Sequence, residues 1–413
     1  MSQASSAPRY CIVVHAGAGS HATSTEQRCL DAVTAALKAA KRALLEEHHH
    51  RSHASRASAT SASLKACVAA VASMEDDPTC NAGTGSNLTE DGRVECDAAV
   101  MDGRNQTYGA CGAVPGVRNP VHLAERLLEH QLGRPRPYGR VHPMLLVGEG
   151  ARQWACNEGL VANAPTAEDA LVTERTRATW RRLMRNLRGE EAKEASADRK
   201  RRRDDDLRGV AASRDESTLH DTVGAVVYDG HDMASAVSSG GVWLKHSGRV
   251  GEAAMFGAGC WASRSDGDSR SERGHASAAA SVSGVGEQVM ARLLAREACA
   301  ALTHADDATR CCGEVLEALL TKGGGPSEGV RPIDGPSAGI AAIRCTLSSN
   351  GEEPDDESGD GPALVAHRVE WAAAHTTPSF AIGILTRGEQ PEVFISRRGV
   401  GDRVGVRFGG VSI

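Results

Sequence analysis

A layered α/β fold in one large domain is what this sequence predicts, on three observations. Short runs of β-branched and other apolar residues alternate along the chain with stretches of helical period, the pattern of sheets covered by helices. The segments that look chemical are spread from His15 to Glu287 and have to converge on one site. That argues for one core with insertions, although 413 residues would allow two or three domains. Aromatic residues make up only 3% of the chain, so the core has to be built from Ala, Val and Leu and packed tightly.

Composition narrows the function classes. A formal net charge of −6 with a mean hydropathy of −0.33 describes an ordinary soluble protein with no basic excess to argue for nucleic acid. No apolar run is long enough to span a bilayer, so no membrane role is expected. The 12 cysteines are scattered singly except for Cys311-Cys312, without zinc-ribbon or redox spacing, and Met1 to Ser6 lacks a charged-then-apolar signal. Reduced thiols in cytoplasm or nucleus are the expectation, with no metal and no cofactor.

Taken in order, Tyr10 to His15 reads as a buried strand running into the loop Ala16-Gly17-Ala18-Gly19, whose glycines let backbone approach something closely. His15 is open to two readings, a satisfied core histidine or a catalytic group, the first being the commoner. Between Glu26 and Leu45 the apolar residues Leu30, Val33, Leu37 and Leu44 follow a helical period. Residues 46–63, with His48-His49-His50 and His53 among serines and alanines, read as a low-complexity loop insertion; a metal site there would lack spaced acids or cysteines to complete a ligand set. Leu64 to Met74 is a second helix, stopped by Asp76-Asp77-Pro78, and a loop over Asn81 to Asn87 precedes a strand around Val94. Pro120 opens a helix through Leu128, at a position where its missing N–H costs nothing. Met144 to Val147 is a strand, and Gly148 to Arg152 opens another helix.

From Thr173 to Leu219 the composition changes. Trp180, Leu183, Met184 and Leu187 form a stripe on a helix whose other faces carry Arg177, Arg181, Arg182, Arg185 and Arg188. The chain then runs into Arg199-Lys200-Arg201-Arg202-Arg203-Asp204-Asp205-Asp206, and residues 174–219 as a whole read as a charged, flexible, cleavable linker. The basic run suits either a solvated tail or a signal read by a nuclear import receptor. Direct nucleic-acid binding is disfavoured, since the adjoining acids would repel phosphates. Downstream, residues 286–301 read as a helix, 338–345 as a strand, 348–361 as an acidic insertion, and 363–371 and 380–386 as further strands.

The functional argument falls on Leu219 to Trp261. Thr222 to Tyr228 is a β-branched strand with a hydroxyl at its first position, and the turn Asp229-Gly230-His231-Asp232 leads into a second strand, Met233 to Ser238. Ser238-Ser239-Gly240-Gly241, Val242 to His246 and Gly248-Arg249-Val250-Gly251-Glu252 follow, so hydroxyls, glycines, an arginine and an acid lie close together. By composition alone this is as much a turn-rich surface as a site.

Asp221-Thr222-Val223-Gly224-Ala225, Ser239-Gly240-Gly241, Gly248-Arg249-Val250-Gly251 and Ser283-Gly284-Val285-Gly286-Glu287 together resemble the threonine-nucleophile asparaginase family. Leu244-Lys245-His246 and Gly259-Cys260-Trp261-Ala262 are similar to its threonine-aspartase (taspase) branch. The similarity extends back through His15 to Gly19, Asn81 to Leu88, Glu95-Cys96-Asp97-Ala98 and Met101-Asp102-Gly103, covering most of the chain. It implies the four-layer αββα sandwich of N-terminal-nucleophile hydrolases. It also implies a precursor that cuts itself between Asp221 and Thr222, giving an α subunit of residues 1–221 and a β subunit of 222–413 within one domain. The family forms dimers of such processed heterodimers.

The chemistry fits the residue types. A threonine hydroxyl needs a base within hydrogen-bond reach, and a freed α-amine with a pKa of about 7.7 to 8 supplies one on the same residue. By resemblance Ser239 orients the nucleophile, and Ser283 and Gly284 supply the oxyanion donors, a serine standing where the small amidases carry threonine. Arg249 anchors a substrate carboxylate, which suits an arginine fork better than a lysine. Glu252 stands where the small amidases place an aspartate to bind a free α-amine, and Gly286 joins the substrate-binding set.

Three readings follow. The taspase likeness implies an endopeptidase cutting protein substrates, nuclear transcription regulators among them, after aspartate. The alternative is an asparaginase or isoaspartyl peptidase acting on small substrates. A third, outside catalysis, is an inert scaffold using its basic linker, which an intact Thr222 with its supporting residues argues against.

Overall fold

The computed structural model describes residues 9–53, 59–161, 169–201, 222–264, 275–304, 307–321, 337–349 and 364–412. Two sheets form the centre. An eight-stranded sheet has the order β12-β11-β1-β5-β6-β2-β3-β4, built from Cys11–Gly19 (β1), Glu95–Asp102 (β2), Thr107–Pro115 (β3), Leu145–Val147 (β4), Val223–Tyr228 (β5), Met233–Ser239 (β6), Ser379–Thr386 (β11) and Glu392–Arg397 (β12). A five-stranded sheet, β13-β10-β9-β8-β7, comprises Cys260–Ser263 (β7), His275–Gly284 (β8), Ala338–Ser349 (β9), Leu364–His375 (β10) and Gly405–Ser412 (β13).

Strand alternation decides the layers. Along β1, Ile12 and Val14 face a core shared with the helices Glu26–His53 (α1), Ala62–Glu75 (α2) and Pro120–Gln131 (α3). Cys11 and Val13, pointing the other way, pack with Val226, Ala279, Ala341 and Ile343 between the two sheets. On the far side of the second sheet Ala278, Ala280 and Ile340 pack on Leu294–His304 (α7) and Ala308–Thr321 (α8). Helices, sheet, sheet, helices is therefore the order, the expected αββα sandwich. The cores are dominated by Ala, Val, Leu and Ile, as the scarcity of aromatics requires.

Local chemistry starts and stops these elements. Ser61 caps α2 by accepting from the Leu64 amide at 3.0 Å, and the amides of Ser61 and Ser63 donate to the buried carboxylates of Asp102 and Asp229. The proline of α3 sits at its first position.

Four sequence expectations are corrected. β1 does not stop at His15: a bulge between His15 and Ala18 spends the glycine-rich loop inside the strand, and pairing resumes at Ala18 with Phe380. Residues 46–53 are helical, continuing α1 rather than forming a loop, and His48, His49 and His50 are exposed there. Among the described residues no group of His, Cys, Asp or Glu is set to hold a metal. The stretch 174–201 is one helix, Glu174–Arg201 (α5), following Gly148–Asn157 (α4). Trp180 docks α5, its indole donating to the Thr89 carbonyl at 2.9 Å. The remainder of the expected linker, Arg202 and Arg203 included, lies outside the described residues, as does most of the acidic insertion. The helix expected over 286–301 is two, Gly286–Arg292 (α6) and α7, because Leu293 adopts φ 49°, and the first amides of α7 turn to the carbonyls of Gly257 and Ala258.

Candidate active site

Thr222 is buried immediately before β5, whose first residue, Val223, is paired with Ala16 of β1 on one side and Ser238 of β6 on the other. Its Oγ1 lies 2.9 Å from Glu252 Oε1 and 3.1 Å from Ser239 Oγ. One hydroxyl proton can serve only one acceptor at a time. A carboxylate can only accept, whereas Ser239 carries its own proton, so the set is satisfied with Thr222 donating to Glu252 and Ser239 donating to Thr222. Ser239 ends β6, paired through Asp97 of β2, and its Oγ also accepts from the Gly241 amide at 3.0 Å. Asp221, the other side of the expected cut, lies outside the described residues.

Glu252 opens a short 3-10 turn, Glu252–Ala254, and is itself buried. Burial pushes its carboxyl up to about 7, against the pull of the Thr222 hydroxyl and the Arg249 charge, while Asp97 adds a smaller push upward. Asp97 anchors this turn from behind: its two oxygens accept from the amides of Ala113 and Gly251, each at 2.7 Å. Burial raises the Asp97 carboxyl, opposed by the Lys245 charge and by those two amides. Lys245 is buried as well, donating to the Glu95 carbonyl.

Arg249 presents a planar fork. Its Nε and Nη2 donate to Glu287 Oε1 and Oε2 at 2.9 and 2.8 Å, a bidentate pair whose acid belongs to α6. The fork is thus shaped for a carboxylate and holds one from its own chain, at the half-exposed Glu287. Gly286 lies against both groups: a Cβ there would come within 2.6 Å of Arg249 Nη2 and 2.7 Å of Glu252 Oε2. Only glycine leaves room for the arginine and the acid side by side.

Ser283 and Gly284 end β8, across from β5 in the facing sheet. The Ser283 hydroxyl accepts from the Ala18 amide, freed by the bulge of β1, at 2.9 Å. No hydrogen bond joins Ser283 or Gly284 to Thr222 among the described residues, so this pair lines the neighbourhood rather than contacting the nucleophile. His15 sits opposite Gly224 in the ladder, with Nε2 2.8 Å from Ser281 Oγ. Burial drives its pKa down to about 3, the Thr222 backbone opposing slightly, which leaves a neutral core histidine.

Of the residues read from sequence, Thr222, Ser239, Glu252, Arg249 and Gly286 are thus brought together. Sequence reasoning misses Glu287, whose signal is its place directly after Gly286. It also assigns no role to Asp97 and Lys245, which only the β2–β6 pairing and the fold of the 241–251 loop bring in.

A family model described as Asparaginase (Asparaginase_2) matches residues 8–348. A plant-type L-asparaginase of Pyrobaculum calidifontis is 32% identical over 324 residues, 78% of this chain and 90% of that relative. An isoaspartyl peptidase/L-asparaginase of Xenopus laevis is 34% identical over 287 residues, covering 69% and 73%. An isoaspartyl peptidase of Salmonella typhimurium is 33% identical over 268 residues, covering 63% and 72%.

Proposed function

The chain belongs to the Asparaginase_2 family of N-terminal-nucleophile hydrolases, and on that premise we propose that it is a self-processing threonine amidohydrolase acting on small β-aspartyl substrates, asparagine or isoaspartyl peptides. The observation that carries this reading is the buried acid Glu252 beside the Arg249 fork and against the Thr222 hydroxyl. An amino acid offers a carboxylate and an ammonium on one carbon, and the arginine and the acid complement the two groups. The side-chain carbonyl then faces Thr222. The names carried by the relatives above agree with it.

In the mature enzyme the freed α-amine of Thr222 takes the hydroxyl proton, Oγ1 attacks the carbonyl and the amine or ammonia leaves, and water hydrolyses the acyl-enzyme. Ser239 holds Oγ1 in line. Backbone and hydroxyl groups at Ser283 and Gly284 are the proposed oxyanion donors, a contribution of about a hundredfold or more in rate.

Cleavage of proteins after aspartate is the second reading. It is favoured by the carboxyl of Glu252 rising to about 7, which leaves it substantially neutral near pH 7 and a weaker partner for an ammonium than a fully ionised acid. In that case Arg249 holds the side-chain carboxylate and the main-chain carbonyl is attacked. Wild-type enzyme is assayed on free asparagine, a β-aspartyl dipeptide and an N-acetylated Asp-Gly peptide. Turnover of the first two with the third untouched supports the amidohydrolase. Efficient cleavage of the acetylated peptide with negligible ammonia release reverses the choice.

A further inference from the structure

Self-processing poses a problem that the mature mechanism does not answer. In the uncut chain the Thr222 nitrogen is a peptide amide, which is no base, so the hydroxyl needs another group to take its proton. We propose that Glu252 is the general base of the self-cleavage step, and that it yields this role to the α-amine once the amine is free. The inference rests on the self-processing reading above.

Geometry carries it. Among the described residues the Thr222 hydroxyl has two hydrogen-bond partners, Ser239 and Glu252, and only the carboxylate can accept a proton outright. The contact of 2.9 Å lies within proton-transfer reach in the resting chain. The burial that lifts this carboxyl to about 7 makes it a better base than an exposed acid while leaving a sizeable ionised fraction at neutral pH.

Its surroundings fix the titration. From its own loop comes Arg249, from β2 Asp97, and from α6 Glu287, which is paired with Arg249. Lys245 acts from the preceding loop on Asp97. Tyr108 and Cys111 of β3 interact with Asp97, and Cys260 of β7 with Tyr108; all three are raised by burial and so neutral in this range. β6 presents the uncharged Ser239.

The step balances without a further reagent except water. Glu252 Oε1 takes the Oγ1 proton as Oγ1 adds to the Asp221 carbonyl carbon. The proton passes to the Thr222 nitrogen as the C–N bond breaks, leaving Asp221 esterified through Oγ1 and a free α-amine. Water then adds to the ester, releasing the Asp221 acid and restoring the hydroxyl.

The test follows self-cleavage of freshly purified full-length chain on denaturing gels between pH 5 and 9, for wild type, Glu252→Gln and Glu252→Asp, with thermal melts to confirm folding. Below pH 7 the wild-type rate should rise about tenfold per unit and level off above it, as ionisation of one base requires. Glu252→Gln should be slower by about a hundredfold or more while melting as wild type does, and Glu252→Asp should restore cutting. Hydroxylamine, which cleaves esters, should release no fragments from Glu252→Gln, because the block precedes the acyl shift. Equal cutting by Glu252→Gln, a flat pH profile, or hydroxylamine-released fragments from that variant each overturn the assignment and leave self-processing standing. A wild-type chain that never cuts removes both.

Discussion

Replacing Arg249 by alanine isolates the carboxylate anchor from the rest of the site. Among the described residues of the site, Arg249 makes a bidentate contact with a carboxylate, and its side chain is only 15% exposed. Its present partner Glu287 is 45% exposed, so on losing the arginine that acid rehydrates and folding stability should change by about 1 kcal/mol or less. A bound substrate has no such escape. Its carboxylate would sit unpaired against the buried Glu252 and Asp97, and breaking a buried pair costs roughly 3–5 kcal/mol, or about 150-fold to 5,000-fold in kcat/KM. Arg249→Lys keeps the charge and loses the fork, an expected loss of about tenfold. The assay is steady-state ammonia release from asparagine, or turnover of whichever substrate the wild type prefers, alongside a thermal melt. The Arg249 charge also holds the Glu252 carboxyl down, so the alanine variant should shift the pH midpoint of self-cleavage upward. Near-wild-type kcat/KM in a folded Arg249→Ala protein would refute the anchor and, with it, the placement of substrate in this site.

Other expected outcomes are as direct. Thr222→Ala should abolish self-cleavage and turnover together, since one hydroxyl serves both; a fragment pair on a denaturing gel would remove Thr222 from the mechanism. Gly286→Ala places a methyl within 2.7 Å of both Arg249 and Glu252, so turnover should fall by at least tenfold, with KM rising, and an unchanged KM would contradict the close packing. Leu293→Gly relieves a left-handed backbone at φ 49°, and a melting temperature raised by the equivalent of about 0.5–1 kcal/mol is expected, because the side chain is half-exposed and little packing is lost. A lower melting temperature would show that Leu293 contributes more by packing than it costs by strain.

Local chemistry made much of this protein legible in one dimension. The hairpin of β5 and β6 follows from β-branched residues around Asp229-Gly230-His231-Asp232, and α3 from a proline followed by apolar residues at helical spacing. Thr222, Ser239, Arg249, Glu252 and Gly286 were identifiable because their short motifs resemble those of the threonine-nucleophile asparaginases; composition alone fitted a turn-rich surface as well as a site. The sequence misjudged places where distant contacts overrule local signals. Ala16 to Gly19 looks like a loop, yet Phe380 and Ser379 pair with its end and make it strand. A continuous helical pattern over 286–301 conceals the break at Leu293, which depends on carbonyls from the 257–258 turn. The helix read from the Trp180, Leu183, Met184 and Leu187 stripe inside the expected 174–219 linker extends over Glu174–Arg201, and Trp180 docks it by donating to the Thr89 carbonyl. Tertiary structure alone decided that Glu252 touches Thr222 thirty positions away, that Glu287 fills the Arg249 fork, and that Asp97 and Lys245 stand behind them. Hydrogen bonds and charges act over a few ångströms of space, and separation along the chain carries no record of which groups will come within that range.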